Sequence, residues 1–288
     1  MILSDDSTER PVQALTPRVF SAVWTAVEGH LPVHHDFHPL GCHRARTPDR
    51  DCFYGIVVRL VTGSSWRTTA QLVNVSATTL RARRDEWVKA GVFELLVGEA
   101  LAGYDKIIGL DLCEVAIDGS IHKSPVGGEG TGKSPVDRAK LGWKWSLATD
   151  TTGIPIGWTI DGANRHDSVM LEPTLDAVSD RGLLGDIETL HLDRGYDSAS
   201  TRALCASRGL SDVICARKRP RGQARGVRAV QPLGLRWPVE RTNSWFSNYG
   251  QLRRNTDRFI AHRLMEIALA VTFILTIKLF AWADRWNR

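Results

Sequence analysis

Two aspartates and a glutamate fall where they can do chemistry together. Asp118 closes the apolar run Val115-Ala116-Ile117, and Asp193 closes Leu190-His191-Leu192. Each run has strand character, so each aspartate stands at a strand end. If the strands are neighbours, two like charges meet at one sheet edge and repel unless a cation lies between them. Carboxylate oxygens suit magnesium, which prefers hard ligands and keeps part of its water shell. Glu240 would sit in the first turn of a helix opened by Trp237-Pro238, with Pro238 suited to the first helical position. Such a set can hold two magnesium ions, with manganese able to substitute. One ion lowers the pKa of an attacking water or 3′-hydroxyl, and the other stabilises the leaving oxygen of a phosphodiester. On that scheme Asp118 bridges both ions, Asp193 binds one and Glu240 the other. Each residue also has a plain reading. Aspartates at strand ends make turns, and a glutamate in a first helical turn complements the helix dipole.

The cations are distributed to match. Arg217, Lys218, Arg219, Arg221, Arg225 and Arg228 follow one another with no acidic residue before Glu240, among interspersed Gly and Pro. Either this is a solvated loop or phosphates approach it; six uncompensated cations favour phosphates. Arg236 and Arg241 flank the same helix start. Further upstream, Ser76 can cap a helix from Ala77 to Ala90 that carries Thr78, Thr79, Arg81, Arg83 and Arg84. A short helix over Trp66–Val73 precedes it. Short helix, turn and basic helix make a helix-turn-helix pattern, with Arg81, Arg83 and Arg84 as candidate DNA contacts. A plain helical bundle with a basic surface is the alternative.

These residues need a scaffold. The chain has 288 residues, enough for a small domain and a larger one, and 43% apolar content is enough for packed cores. Residues 1–49 read as an arm with a helix from Pro17 to Glu28, and residues 50–105 as the helix-turn-helix domain, with Gly63 and Gly91 as stops. Residues 106–288 read as a mixed α/β domain. Its expected elements are a strand over Cys113–Ile121, a glycine-rich loop over 127–140 and a hairpin of 141–149 with 154–160. A helix over 168–178 with Asp167 as its cap follows, then a strand over 187–192, a helix over 198–208 and a strand over 212–216. That order is compatible with a ribonuclease-H-like mixed sheet flanked by helices. The last helix, Arg258 to Asp284, is expected to pack on the sheet. Its apolar run from Ile267 to Ile277 is too short to span a bilayer, which needs roughly 20 residues.

Composition sets further bounds. Lys and Arg number 37 against 32 Asp and Glu, an excess that permits a nucleic-acid partner without requiring one. The five cysteines include no C-x-x-C pair, which reads as reduced thiols in a cytoplasm. The first ten residues lack the apolar run of a signal peptide. The spacing of His34, His35, His38, Cys42, His43 and Cys52 does not fit a structural zinc site. Trp237, beside the basic loop, is the best candidate to stack on a base, while the other tryptophans read as core.

Four ordered blocks now become recognisable. They are Val115-Ala116-Ile117-Asp118-Gly119-Ser120, Gly162-Ala163-Asn164-Arg165-His166-Asp167-Ser168, Leu192-Asp193-Arg194-Gly195-Tyr196-Asp197 and Arg236-Trp237-Pro238-Val239-Glu240-Arg241-Thr242. Together they resemble the signature blocks of DDE transposases of bacterial insertion sequences, most closely the insertion-sequence-five family. Residues 62–67 and 87–93 resemble the helix-turn-helix leader of those proteins. The resemblance implies a ribonuclease-H-like catalytic domain with Asp118, Asp193 and Glu240 as its acidic triad. It implies binding to double-stranded DNA at terminal inverted repeats, metal-dependent cleavage, and attack of the freed 3′-hydroxyl on target DNA. A homodimer pairing two ends, and a nucleoid-associated cytoplasmic location, are expected with it, and no membrane partner. Asn164, His166 and Asp167 are accessory candidates near the scissile phosphate, against a packing and capping role. Arg194 and Tyr196 either touch DNA or make a turn. Arg236 matches the arginine of the related insertion-sequence-four signature, but Leu233 and Ser247 stand where that signature has a tyrosine and a lysine. The competing expectation is a DNA-binding protein derived from a transposase and inactive in transposition. A carboxylate-pair glycosidase is disfavoured by the basic segments.

Overall fold

The computed structural model describes residues 11–34, 45–215 and 235–286. Arg217, Lys218, Arg219, Arg221, Arg225, Arg228 and Leu233 lie outside the described residues, as do His35, His38, Cys42 and His43. The chain divides into two compact units. One joins residues 1–108 to residues 245–288, and the other is residues 109–244.

The second unit carries the sheet. Its strands are β1 (Glu114–Lys123), β2 (Gly132–Lys133), β3 (Leu141–Thr149), β4 (Pro155–Gly162), β5 (Thr189–Leu192) and β6 (Asp212–Cys215). β1, β3 and β4 form an antiparallel meander, and β5 and β6 add in parallel on the other side of β1. The spatial order is therefore β4-β3-β1-β5-β6, with the two-residue β2 also on β3. This is the ribonuclease-H-like mixed sheet expected from the sequence.

The order has local causes. The β3–β4 turn is tied by Asp150, whose Oδ1 accepts from the Thr152 and Ile154 amides at 2.9 and 2.7 Å. The parallel strands need helical crossovers. α6 (Asp167–Ser179) precedes β5, and α7 (Ala199–Ser207) joins β5 to β6. Val115, Ile117, Leu190 and Leu192 pack with Leu171, Leu175, Val178 and Tyr196 as one apolar core. β3 is buried from Gly142 to its end, so both of its faces are covered. On the face opposite α6, His122 stacks on Trp145 with centroids 3.5 Å apart. Trp145 Nε1 donates to Asn243 Oδ1 at 2.7 Å, fastening α8 (Trp237–Asn248) by its part within this unit.

The first unit is helical. α1 (Pro17–Glu28), α2 (Asp49–Thr62), α3 (Trp66–Val73), α4 (Ala77–Lys89) and α5 (Val92–Ile107) are joined by α9 (Gly250–Arg253) and α10 (Ile260–Trp286). Ser65 and Ser76 cap α3 and α4, each accepting from the amide three residues on, at 3.1 and 3.0 Å. Gly63 closes α2 in the left-handed conformation at φ 70°, its amide bonded to Arg59 O at 2.9 Å. α4 lies close on α2, where a Cβ at Gly55 would come within 2.6 Å of Leu80 Cδ2.

Two expectations change here. α10 clusters with the helices of the first unit, whereas its apolar pattern had placed it on the sheet. It packs chiefly against α5. An apolar stripe says that a helix is buried, not against which partner. By length and composition α10 is also sufficient to cross a membrane, contrary to the reading from its apolar run alone. Burial inside the protein accounts for it as a core helix: 67% of its most apolar stretch is covered. The second change concerns Arg83 and Arg84, which are buried. Arg83 pairs with Asp49 and Glu86, each at 2.9 Å, and Arg84 with Asp85 at 2.9 Å and Asp257 at 2.7 Å. The helical period sets them on the same side as Leu80 and Trp87, facing inward. Arg81 and Thr78 point outward and are exposed.

Candidate active site

The register of the sheet assembles the first two carboxylates. Ile117 of β1 is paired with Leu192 of β5, so the next residue on each strand, Asp118 and Asp193, falls side by side. Successive residues alternate between faces. Asp118 therefore shares a face with Ala116, and Asp193 with His191, away from the α6 core. Leu235 N donates to His191 Nδ1 at 2.9 Å, which draws the start of α8 over this face.

Asp118 is mostly covered, with 17% of its side chain exposed. Its Oδ1 accepts from the Gly119 amide at 2.8 Å, and its Oδ2 lies 3.3 Å from Arg236 Nη2. Burial pushes its carboxyl above the ordinary aspartate value, and the neighbouring charge of Asp193 pushes the same way. The Gly119 amide and Arg236 act against that rise. Asp193 accepts from the Gly195 amide and so caps the short turn Arg194–Tyr196. Its turn role and its place beside Asp118 thus coexist. A Cβ at Gly195 would crowd Asp193 Oδ1 at 2.8 Å, which accounts for the glycine.

Glu240 stands in the first turn of α8, as expected, but does not join the aspartates directly. Its Oε1 is 3.6 Å from Arg236 Nη2, so one guanidinium links Asp118 to Glu240. Among the described residues no three acidic, histidine or cysteine side chains converge closely enough to hold one ion. The donor set nevertheless fits a hard divalent cation. It is all oxygen, it holds two adjacent carboxylates, and it already attracts a cation in the form of Arg236.

The remaining sequence candidates separate clearly. His166, not Asp167, caps α6: its Nδ1 is 3.3 Å from the Ser168 amide. Asp167 instead turns to the sheet and pairs with Lys144 at 2.9 Å. Asn164 lies against Gly132 and Gly162, where its carboxamide takes the space that side chains would need. Tyr196 is fully buried in the α6-side core, so it makes no DNA contact, while Arg194 is exposed. Arg241 donates to Thr152 O and stands 4.7 Å over the Trp237 ring, between the hairpin and the helix start. Trp143, Trp145, Trp158 and Trp245 are buried, whereas Trp237 is 49% exposed. The residue that sequence reasoning missed is Lys144. The run Trp143-Lys144-Trp145 held a signal, because a lysine inside a strand covered on both faces needs a buried partner.

Comparison with known proteins bears on this geometry. The transposase DDE domain family matches residues 109–275, more than half of the chain. The chain belongs to this family. Residues 21–97 also match the putative transposases of the insertion-sequence four/five group. A putative transposase for insertion sequence element IS402 from Burkholderia cepacia is 36% identical over 133 residues. That match covers 44% of this chain and 60% of the relative, so it spans less than two thirds of the relative's length. Among solved structures, a pre-cleavage Mos1 transpososome aligns over 86% of this chain and 82% of its own, at 9% identity and a TM-score of 0.29. The Mos1 mariner paired-end complex with Mn aligns over 69% and 67%, at 10% identity and a TM-score of 0.24. DDE transposases use divalent metal ions.

Proposed function

We propose that this protein is a DNA transposase that cuts at the terminal inverted repeats of an insertion sequence and transfers the 3′-hydroxyl ends to target DNA. The observation that carries the reading is the Asp118–Asp193 pair, Asp118 midway along β1 and Asp193 just past the end of β5, with Glu240 one guanidinium away, in a chain of the DDE family. Asp118, Asp193 and Glu240 would hold two magnesium ions, or manganese in their place, which supply the acidified nucleophile and stabilise the leaving oxygen.

The chain's own residues prepare that step. The Gly119 amide orients Asp118, and the Gly195 amide orients Asp193. Arg236, 46% exposed beside both acids, is placed to take a phosphate once it leaves them. Residues 66–89 supply the helix-turn-helix that reads the ends, with Thr78, Thr79 and Arg81 on its recognition helix. The cations at 217, 218, 219 and 221 add phosphate contacts. Two copies would hold two ends, and the work would be done on DNA in a bacterial cytoplasm.

The test is cleavage of a duplex carrying one inverted repeat. Wild-type protein with Mg²⁺ is expected to nick at the repeat boundary, and a chelator to stop it. Asp118→Asn should bind the same duplex as tightly while cutting none. Cleavage by Asp118→Asn at the wild-type rate would overturn the assignment.

A further inference from the structure

Lys144 and Asp167 form a second charged pair beside the site, on the opposite face of the sheet from the Asp118 carboxylate. Residues facing one another in an antiparallel ladder share a face. Gly119 pairs with Ser146 and Ile121 with Lys144, so these four face α6.

The pair is built with more than a helix tie in view. His166 already caps α6, which leaves the Asp167 carboxylate free for the sheet. Lys144 is 6% exposed, and its Nζ donates to Asp167 Oδ1 at 2.9 Å and to Arg165 O at 2.8 Å. Asp167 Oδ1 occupies the space a Cβ on Gly119 would take, and Lys144 Cδ lies 3.5 Å from the same point. Gly119 is the residue whose amide holds Asp118 Oδ1 at 2.8 Å. The buried Tyr196 phenol is raised well above its usual value, chiefly by burial and then by the charges of Asp167, Asp118 and Asp193. A simple tie between α6 and β3 would need neither a glycine at 119 nor contact with that peptide.

We propose that Asp167, held by Lys144, is a positioning residue that braces the Gly119 peptide from behind and so sets the direction in which Asp118 presents its Oδ2. This rests on the reading of Asp118 as a metal ligand. Removing support of this kind from a ligand costs about 10-fold in metal affinity.

The experiment is Mn²⁺ binding to the full-length protein without DNA, followed by electron paramagnetic resonance, with thermal melting alongside. Asp118→Asn should abolish the tight Mn²⁺ signal. Asp167→Glu keeps the charge opposite Lys144 but carries the oxygens off Gly119. Gly119→Ala keeps both charges and displaces the carboxylate. Both variants are expected to bind Mn²⁺ about 10-fold more weakly, with Asp167→Glu melting within ~2 °C of wild type. Wild-type Mn²⁺ affinity in either variant would overturn the positioning role and leave a plain ion pair. Wild-type Mn²⁺ affinity in Asp118→Asn would instead sink the metal-ligand reading, and this inference with it.

Discussion

Arg236 Nη2 lies 3.3 Å from Asp118 Oδ2 and 3.6 Å from Glu240 Oε1, so one guanidinium stands between two of the three acidic residues. Arg236 therefore neutralises part of the charge that a divalent cation would otherwise neutralise. On the function proposed above it would also grip a phosphate.

Replacing this arginine should separate the two roles. A half-exposed ion pair is worth up to about 1 kcal/mol, so Arg236→Gln is expected to bind Mn²⁺ about 2–5-fold more tightly in the absence of DNA. The same variant should cut DNA more slowly, because the phosphate loses its partner. Calorimetric Mn²⁺ titration checks the first effect. An affinity unchanged or weakened would show that the guanidinium does not compete with the metal.

The arginines of α4 should divide by burial. Arg81 is exposed, so Arg81→Ala is expected to leave unfolding unchanged and to lower the salt dependence of DNA binding by about one phosphate contact. Arg84 is buried against Asp257 at 2.7 Å, with Trp66 below it at 4.9 Å. Arg84→Ala leaves a buried carboxylate less compensated and should cost about 3 kcal/mol of stability. Urea unfolding together with binding at two salt concentrations distinguishes them. A stable Arg84→Ala protein with weakened DNA binding would reverse the assignment.

Asp150 makes a prediction about the β3–β4 turn. Its carboxylate accepts from the Thr152 and Ile154 amides, at 2.9 and 2.7 Å. Asp150→Ala orphans those donors and should cost about 2–4 kcal/mol, whereas Asp150→Asn keeps an acceptor and should cost less. Burial raises the Asp150 carboxyl above its ordinary 3.8, more than the bonded amides lower it. A carboxyl raised on folding adds stability below its unfolded value, and that contribution is lost as pH climbs through its folded value. Wild type should accordingly gain on Asp150→Asn as pH falls from neutrality toward the carboxylate range. Denaturant midpoints of the two proteins, measured across that range, give the sign. A constant difference would remove the titration of Asp150 from the account.

Much of this site could be read along the chain. The apolar runs of β1 and β5 were visible, each followed by an aspartate; Asp193 does end its strand, but β1 continues past Asp118 to Lys123 because β3 pairs with it throughout. The helix cap at Ser76, the stop at Gly63 and the helix start at Trp237-Pro238 are local chemistry, set by residues within one turn of each other. For the same reason the extents of α1, α3 and β3 follow directly from the pattern. α5 was only partly legible. It begins directly after Gly91, read as a stop, and runs on to Ile107.

What the sequence by itself determined is the alternation that aims Asp118 and Asp193 away from the core, together with the blocks that mark the family. The tertiary structure decided which partners each charge meets. Arg83 and Arg84 look like DNA contacts in sequence because a helix shows its residue types but not which of its sides is covered. Asp167 looks like a cap because its nearest neighbours along the chain are a helix start, yet its partner Lys144 lies 23 residues away. Arg236 meets Asp118 across 118 residues. Burial and pairing at such separations depend on how strands register and helices pack, and no local pattern encodes them. The two aspartates were therefore legible from one strand each, whereas the guanidinium between Asp118 and Glu240 and the brace behind Gly119 exist only once the sheet has formed.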